Sequence, residues 1–458
     1  MNKRFGLIAV FMLFIALGTG AAASAVGPTE LKIVSTPSVA LYGEPFSWKV
    51  TGLQPGERVT VKAVSRDAKT IRWESAAIFA ADASGTVDVG SQAPVSGSYS
   101  GADIFGLLWS MQPENADVKK PINYRNNGIA GWTVDLSAEN SSGVSAVTRF
   151  RCVYQRPNEA LVRVPLDQDG LSGFLYYPAQ GGPCPGVIVL GGAEGGLLEM
   201  LARAFAANGF AALSLAYFGY PNVPDELVEI PLEYFDRAID WMKAQPKVRT
   251  GGMGVVGGSK GGELALLVAS RNSNVRAVVA MTPAAHAWEG HTMRFFSPDY
   301  TPVSSWSLGG KPLPYISFKV SAADKDKEMK GELASFVPFF RDSLAQADPV
   351  TAAKAAIPVE KIGGPILLVS GTDDQLWPSG EYCAAIMARL KKEGFPYEVK
   401  HLSIEKGGHT SCIPFLITAN RGLLIDGDPT GGSPQADARG GYLSWAETIA
   451  FLHRHLDR

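Results

Sequence analysis

Cysteine is scarce in this chain. Its 458 residues include only Cys152, Cys184, Cys383 and Cys412, widely spaced and with no C-x-x-C pair. A structural zinc cluster therefore has no support. Single buried thiols fit this spacing, and no disulfide pairing can be read from it. An excess of one charge is also missing: 42 Lys and Arg stand against 44 Asp and Glu, a net charge of -2. With no Lys/Arg run either, nothing points to a nucleic-acid partner. The N-terminal apolar run, Gly6 to Leu17, is shorter than the roughly 20 residues a membrane-spanning helix needs. Lys3 and Arg4 precede it and the small residues Ala21 to Ala25 follow, the pattern of a secretory signal peptide cleaved after Ala23 or Ala25. No cysteine follows the apolar core, which argues against a lipoprotein anchor. The expectation is a periplasmic or secreted protein without residues 1–25 and without a stable membrane anchor.

What remains is long and apolar enough to build large cores. Hydrophobic residues make up 46% and charged residues 19%, and the length exceeds that of one usual core, so two domains are expected. Residues 28–155 read as short strands of period-two patterning, such as Phe46 to Thr51, Val59 to Ala63, Gly131 to Leu136 and Ala146 to Arg151. Gly, Pro, Asn and Asp separate them, the pattern of an all-β, immunoglobulin-like sandwich. No His, Cys or carboxylate constellation stands out there, so the segment is either a substrate-positioning module or a structural appendage.

Residues 156–458 have a different pattern. Apolar runs at Pro185 to Leu190, Gly209 to Leu215, Gly252 to Val256, Val275 to Met281, Pro365 to Ser370 and Tyr397 to Ile404 alternate with helix-like stretches at Leu198 to Asn208 and Leu232 to Ala244. That alternation predicts an α/β fold, a largely parallel sheet covered on both faces. Chemistry in such folds gathers at the carboxyl ends of the strands.

Three motifs fall at predicted strand ends. Gly257-Gly-Ser-Lys-Gly261 matches G-x-S-x-G, follows Val255-Val256 and precedes the helix-like Glu263 to Ala269. This is the strand–turn–helix setting of a nucleophile elbow, with Ser259 as nucleophile. A serine hydroxyl needs a base to take its proton. Of the six histidines, His401 lies within a strand, His453 and His455 in the C-terminal helix, and His286 and His291 in an aromatic insertion. His409 alone follows the last strand, in Lys406-Gly-Gly-His-Thr410, and is the expected base. The orienting acid should follow the penultimate strand, where Gly371-Thr-Asp-Asp supplies Asp374, with Asp373 as a turn former. The order Ser259, Asp374, His409 is that of α/β-hydrolases.

An oxyanion hole needs backbone N–H groups, expected from Lys260 and from Ala193 in Gly191-Gly-Ala-Glu-Gly-Gly196. A phosphate-cradling loop is the competing reading of that stretch, but neither G-x-G-x-x-G nor a Walker-type Gly-Lys-Ser/Thr is present. Between Met281 and Ile357 lies an insertion rich in aromatics, including Trp288, Trp306, Phe318 and Phe340. It reads either as a lid or acyl pocket, or as packing against the sandwich.

These residues resemble the family of type-I acyl-CoA thioesterases and bile acid-CoA:amino acid N-acyltransferases. The likeness rests on Thr36 to Glu44, Gly106 to Gln112, Pro185 to Glu199, Ser259 to Leu264 and Asp373 to Ser379, and it spans nearly the whole mature chain. It implies an α/β-hydrolase domain behind a β-sandwich, and a Ser/Cys-His-Asp triad acting on acyl thioesters, here Ser259, His409 and Asp374. An acyl-enzyme mechanism on these residues needs no metal or organic cofactor. The conjugating branch typically uses cysteine, so a serine nucleophile points to hydrolysis before acyl transfer to a small amine. Export would separate the protein from cytoplasmic acyl-CoA, which leaves another activated acyl compound, such as an ester, as a substrate. A catalytically silent ligand-binding protein is the non-enzymatic alternative.

Overall fold

The computed structural model describes residues 30–114, 124, 130–297, 299–330, 332, 334–413 and 429–457. The predicted signal peptide lies outside them. Two facing sheets make up the N-terminal part. One contains Lys32–Thr36, Ser47–Thr51 and Val87–Asp88; the other is built on Arg58–Arg66, Arg72–Ala80, Trp132–Asn140 and Ser145–Val153. Burial alternates along Arg58–Arg66 and Arg72–Ala80, as period-two strands with one covered face require. Trp48, Trp73, Phe79 and Phe150 fill the space between the sheets.

The second part is an eight-stranded sheet. We number its strands β1 (Leu161–Gln168), β2 (Leu171–Pro178), β3 (Cys184–Leu190), β4 (Ala211–Ala216), β5 (Val248–Gly258), β6 (Val275–Met281), β7 (Ile366–Gly371) and β8 (Val399–Ile404). The spatial order is β1-β2-β4-β3-β5-β6-β7-β8, antiparallel as far as β4 and parallel from β4 onward. This is the α/β-hydrolase arrangement. Every residue of β3, β4 and β7 is buried, because helices cover both faces. The helices are α1 (Glu199–Ala207), α2 (Glu233–Lys243), α3 (Lys260–Ala269), α4 (Ser379–Lys392) and α5 (Pro434–Leu456).

The β1–β2 hairpin was not foreseen. It turns at Asp169 and Gly170, both at positive φ (56° and 72°), as a two-residue hairpin turn demands. The aromatic insertion also needs a correction, because its central rings, Trp288, Trp306, Phe318 and Phe340, pack among themselves and on the hydrolase part and not on the sandwich, among the described residues. Trp288 stacks on Phe318 at 5.7 Å and meets Phe340 at 4.9 Å, while Trp306 packs on Tyr217 at 5.9 Å, all within the sheet-and-helix part. All four cysteines are buried and free, so the thiols pack as small apolar groups.

Candidate active site

Strand β5 ends at Gly258 and α3 begins at Lys260, so Ser259 makes the turn between them. Its φ of 56° and ψ of -125° fall where side chains are rarely tolerated. The Ser259 amide donates to Met281 O at 2.9 Å, tying the turn to the end of β6. Close backbone approach dictates the glycines around it. A Cβ on Gly257 would lie 2.0 Å from Gly261 O, and one on Gly261 would lie 2.3 Å from Gly191 O. Gly261→Ala must therefore push α3 away from the Gly191 loop. We expect it to cost about 1–3 kcal/mol of stability and to lower kcat more than KM, read by denaturant unfolding beside steady-state rates. Unchanged values in both would refute the close contact.

His409 opens a short 3-10 turn, His409–Cys412, after β8. Its amide donates to Thr430 O at 2.7 Å, and its ring is buried. Nδ1 meets Asp374 Oδ2 at 2.9 Å, while the buried Nε2 has no hydrogen-bond partner among the described residues. Asp374 is buried yet fully engaged. Oδ1 accepts the amides of Leu376 (3.0 Å) and Trp377 (3.2 Å), and Oδ2 also accepts the Ser379 hydroxyl at 2.6 Å. Four donors thus meet the buried carboxylate. With the carboxylate accepting at Nδ1, that nitrogen carries the hydrogen and Nε2 is left as the acceptor. Asp373 is exposed; its carboxylate accepts Gln375 Nε2 and the Gly432 amide, closing the turn.

Thr282 brings the serine turn and the histidine loop to one place. It follows Met281, accepts Trp377 Nε1 at its carbonyl (3.0 Å), and places Oγ1 3.8 Å from Cys412 Sγ. The Trp377 ring meets His409 edge-on at 5.9 Å. On the other side, a Cβ on Gly192 would fall 3.3 Å from Ser259 Cβ, so the loop after β3 lies against the serine. Tyr217 OH anchors that loop through Gly191 O at 2.6 Å. The Gly192 amide is taken by Glu194 Oε1 at 2.9 Å, whereas the Ala193 amide has no partner among the described residues. Gly262 and Glu263 donate to Ser259 O, and the Lys260 amide at the helix start is likewise unpaired among the described residues. Two free backbone donors thus flank the serine. The other five histidines have other surroundings: His286 and His291 lie in the insertion, bridged to Ala356 and Leu227, while His401 Nε2 bonds Ser370 Oγ, His453 bonds Asp457, and His455 bonds Glu398.

Comparison with known proteins agrees with this architecture. The family profile described as "Acyl-CoA thioester hydrolase/BAAT N-terminal region" matches residues 43–157, and "BAAT / Acyl-CoA thioester hydrolase C terminal" matches residues 230–458. Mouse (Mus musculus) mitochondrial acyl-coenzyme A thioesterase 2 is 30% identical over 91% of this chain and 87% of its own length. The chain belongs to the acyl-CoA thioester hydrolase/N-acyltransferase family. Rat (Rattus norvegicus) acyl-coenzyme A thioesterase 1 is also 30% identical, over 91% of this chain and 94% of the relative. Mouse acyl-coenzyme A amino acid N-acyltransferase 1 is 30% identical over 93% of this chain and 98% of its own.

Within this family member the residue after Ser259 does more than offer an amide. The Lys260 ammonium is buried and grips Glu263 at 2.8 and 2.9 Å. Glu263 Oε1 also accepts Trp306 Nε1 at 2.6 Å and the Trp288 amide at 3.3 Å. The pair therefore moors the aromatic insertion to the helix that starts at the serine. Burial pushes the Glu263 carboxyl up and the Lys260 ammonium down, and each charge offsets that effect on the other. Sequence reasoning missed this pair, Ser379 as a donor to Asp374, and Asp437. Asp437 lies in the first turn of α5, is buried, and accepts the Gly408 amide at 2.9 Å. A carboxylate early in a helix ordinarily reads as a complement to the helix dipole, so the sequence carried no signal for that contact.

Proposed function

We propose that this protein is an exported serine hydrolase that cleaves acyl thioesters through an acyl-enzyme. Ser259 Oγ attacks the acyl carbon while His409 Nε2 takes the hydroxyl proton. Asp374 holds the imidazole and stabilises the imidazolium. The amides of Lys260 and Ala193 receive the developing oxyanion. As the C–S bond breaks, the imidazolium returns its proton to the thiol. Water then attacks the acyl carbon with His409 again as base, the C–Oγ bond breaks, and the carboxylic acid leaves as Ser259 regains its proton. The observation that carries this reading is the buried His409–Asp374 pair, whose Nε2 has no partner among the described residues, together with a serine held in strained backbone geometry at the end of β5. Family membership supports the thioester as the bond attacked. Export rests on the N-terminal pattern of residues 1–25.

The experiment is to treat the purified mature protein with a fluorophosphonate probe, locate the label by peptide mass, and then assay acyl-CoA thioesters and aryl esters. Label on Ser259 together with thioester turnover is expected. Turnover of esters alone would keep the mechanism and reassign the substrate, and a folded protein that neither labels nor turns over would sink the reading. The same residues would serve acyl transfer to a small amine, a reading favoured by the similarity to the mouse N-acyltransferase. Amide product in the presence of glycine or taurine would establish it.

A further inference from the structure

Helix α5 has two working faces in its N-terminal half. Residues 435, 442 and 445 lie on one side and meet the sandwich. Gln435 Nε2 donates to Asp103 Oδ2 at 3.1 Å, Tyr442 packs on Phe105 at 5.2 Å, and Trp445 Nε1 donates to Tyr42 O at 3.0 Å. This approach is close: a Cβ on Gly43 would stand 2.1 Å from Trp445 Cδ1. Residues 437, 440 and 444, spaced three and four apart, lie on another side and meet the histidine loop. Asp437 Oδ1 accepts the Gly408 amide at 2.9 Å, a Cβ on Gly440 would lie 2.5 Å from Ser411 O, and Ser444 Oγ donates to Cys412 O at 3.2 Å. Gly408 is the residue before His409. One rigid helix thus touches the sandwich with one face and both ends of the His409–Cys412 turn with the other.

We propose that the N-terminal sandwich is a positioning device for the catalytic base: it seats α5, and Asp437 of α5, as a positioning residue, holds the Gly408 amide and so sets the place of the His409 ring. This rests on the reading of His409 as the general base. His409 reaches Asp374 from a turn preceded by Gly407 and Gly408, which have little stiffness of their own. Its amide contact to Thr430 O, the bonds of Gly407 to Ile404 and Asp373, and the contacts to α5 supply the stiffness, and of these only the α5 contacts lead to the sandwich. Misplacement of a base by about 1 Å is enough to lower a rate by roughly 100-fold. An amide at position 437 would keep the acceptor for Gly408. It would also be a fair mimic of a carboxyl whose ionisation burial already opposes.

The test uses the full mature chain in four forms beside wild type: Asp437→Ala, Asp437→Asn, the sandwich-face pair Phe105→Ala with Gln435→Ala, and His409→Ala. Each is checked for folding by circular dichroism, then measured for kcat, KM and the rate of fluorophosphonate labelling. Asp437→Ala is expected to lower kcat and the labelling rate by about 10- to 100-fold with KM within about twofold. Asp437→Asn should recover most of that loss, and the sandwich-face pair should show a smaller loss in the same two quantities. Should Asp437→Ala fail to fold, the sandwich-face pair, whose contacts go to the sandwich and to Tyr442 and not to the loop, decides the matter. Wild-type rates in the sandwich-face pair, a rise in KM in place of a fall in kcat, or an Asn variant as impaired as the Ala variant would each overturn the proposal. An inactive His409→Ala beside a wild-type Asp437→Ala would remove the positioning role alone. An active His409→Ala would remove the base assignment and the positioning role with it.

Discussion

Asp374→Asn is expected to lower kcat by about 10,000-fold while the protein still folds. The geometry specifies why. Oδ1 accepts two backbone amides, from Leu376 and Trp377, so the amide oxygen of an asparagine must take that place. Its NH2 then occupies the site of Oδ2, where Ser379 Oγ can turn to accept one hydrogen and His409 Nδ1 must accept the other. An Nδ1 that accepts forces the ring hydrogen onto Nε2, and an Nε2 that already carries hydrogen cannot take the serine proton. The fold should survive, because the Leu376 and Trp377 amides keep their acceptor and the new amide hydrogens meet Ser379 Oγ and His409 Nδ1. Steady-state thioester hydrolysis and thermal unfolding would check this together. A loss smaller than about tenfold in a folded variant would mean that Asp374 does not set the tautomer of the base.

The elements that place these residues were legible because each wrote its own local signal. Val255 and Val256, the glycines, and the apolar run from Leu264 mark a buried strand, a tight turn and a buried helix in consecutive residues, and β5 and α3 follow that division. Asp374 could be separated from Asp373 by its offset from the end of β7, and the structure buries Asp374 and exposes Asp373. The β1–β2 hairpin has a signal too, Asp169-Gly170 at its turn. Other features had none. Lys260 and Glu263 form an i, i+3 pair of the kind that usually sits in water. They are buried, with Trp288 and Trp306 of a distant segment bonded to Glu263. Asp437 addresses a backbone amide, and backbone partners leave no trace in side-chain identity. The aromatic insertion was recognisable as apolar, but which surface it covers is a tertiary fact that periodicity does not encode.

That burial makes Lys260→Met the substitution with the largest expected effect on stability, about 3–5 kcal/mol at pH 8. With the ammonium gone, Glu263 keeps only Trp306 Nε1 and the Trp288 amide as donors, in a site with no water contact. The cost should depend on pH, and the sign is fixed by the direction of the shift. Burial raises the Glu263 carboxyl above its usual 4.5, and Lys260 is the largest influence opposing that rise, so the variant carries a higher folded value still. The folded variant therefore binds this proton more tightly than the unfolded chain does. Stability is fully present below the unfolded value, declines as pH rises through the folded value, and levels off above it. Relative to wild type, the variant should lose less at pH 5 than at pH 8. Adding Glu263→Gln removes the charge while keeping an acceptor for Trp306, so the double variant should regain most of the loss at pH 8 and become nearly insensitive to pH. Urea unfolding of both variants at the two pH values reads this directly. A deficit below about 1 kcal/mol at pH 8, or one that is the same at both pH values, would mean that water reaches Glu263 once the lysine is gone. The insertion would then not be sealed onto α3, and the mooring of the aromatic segment to the serine turn would have to be abandoned.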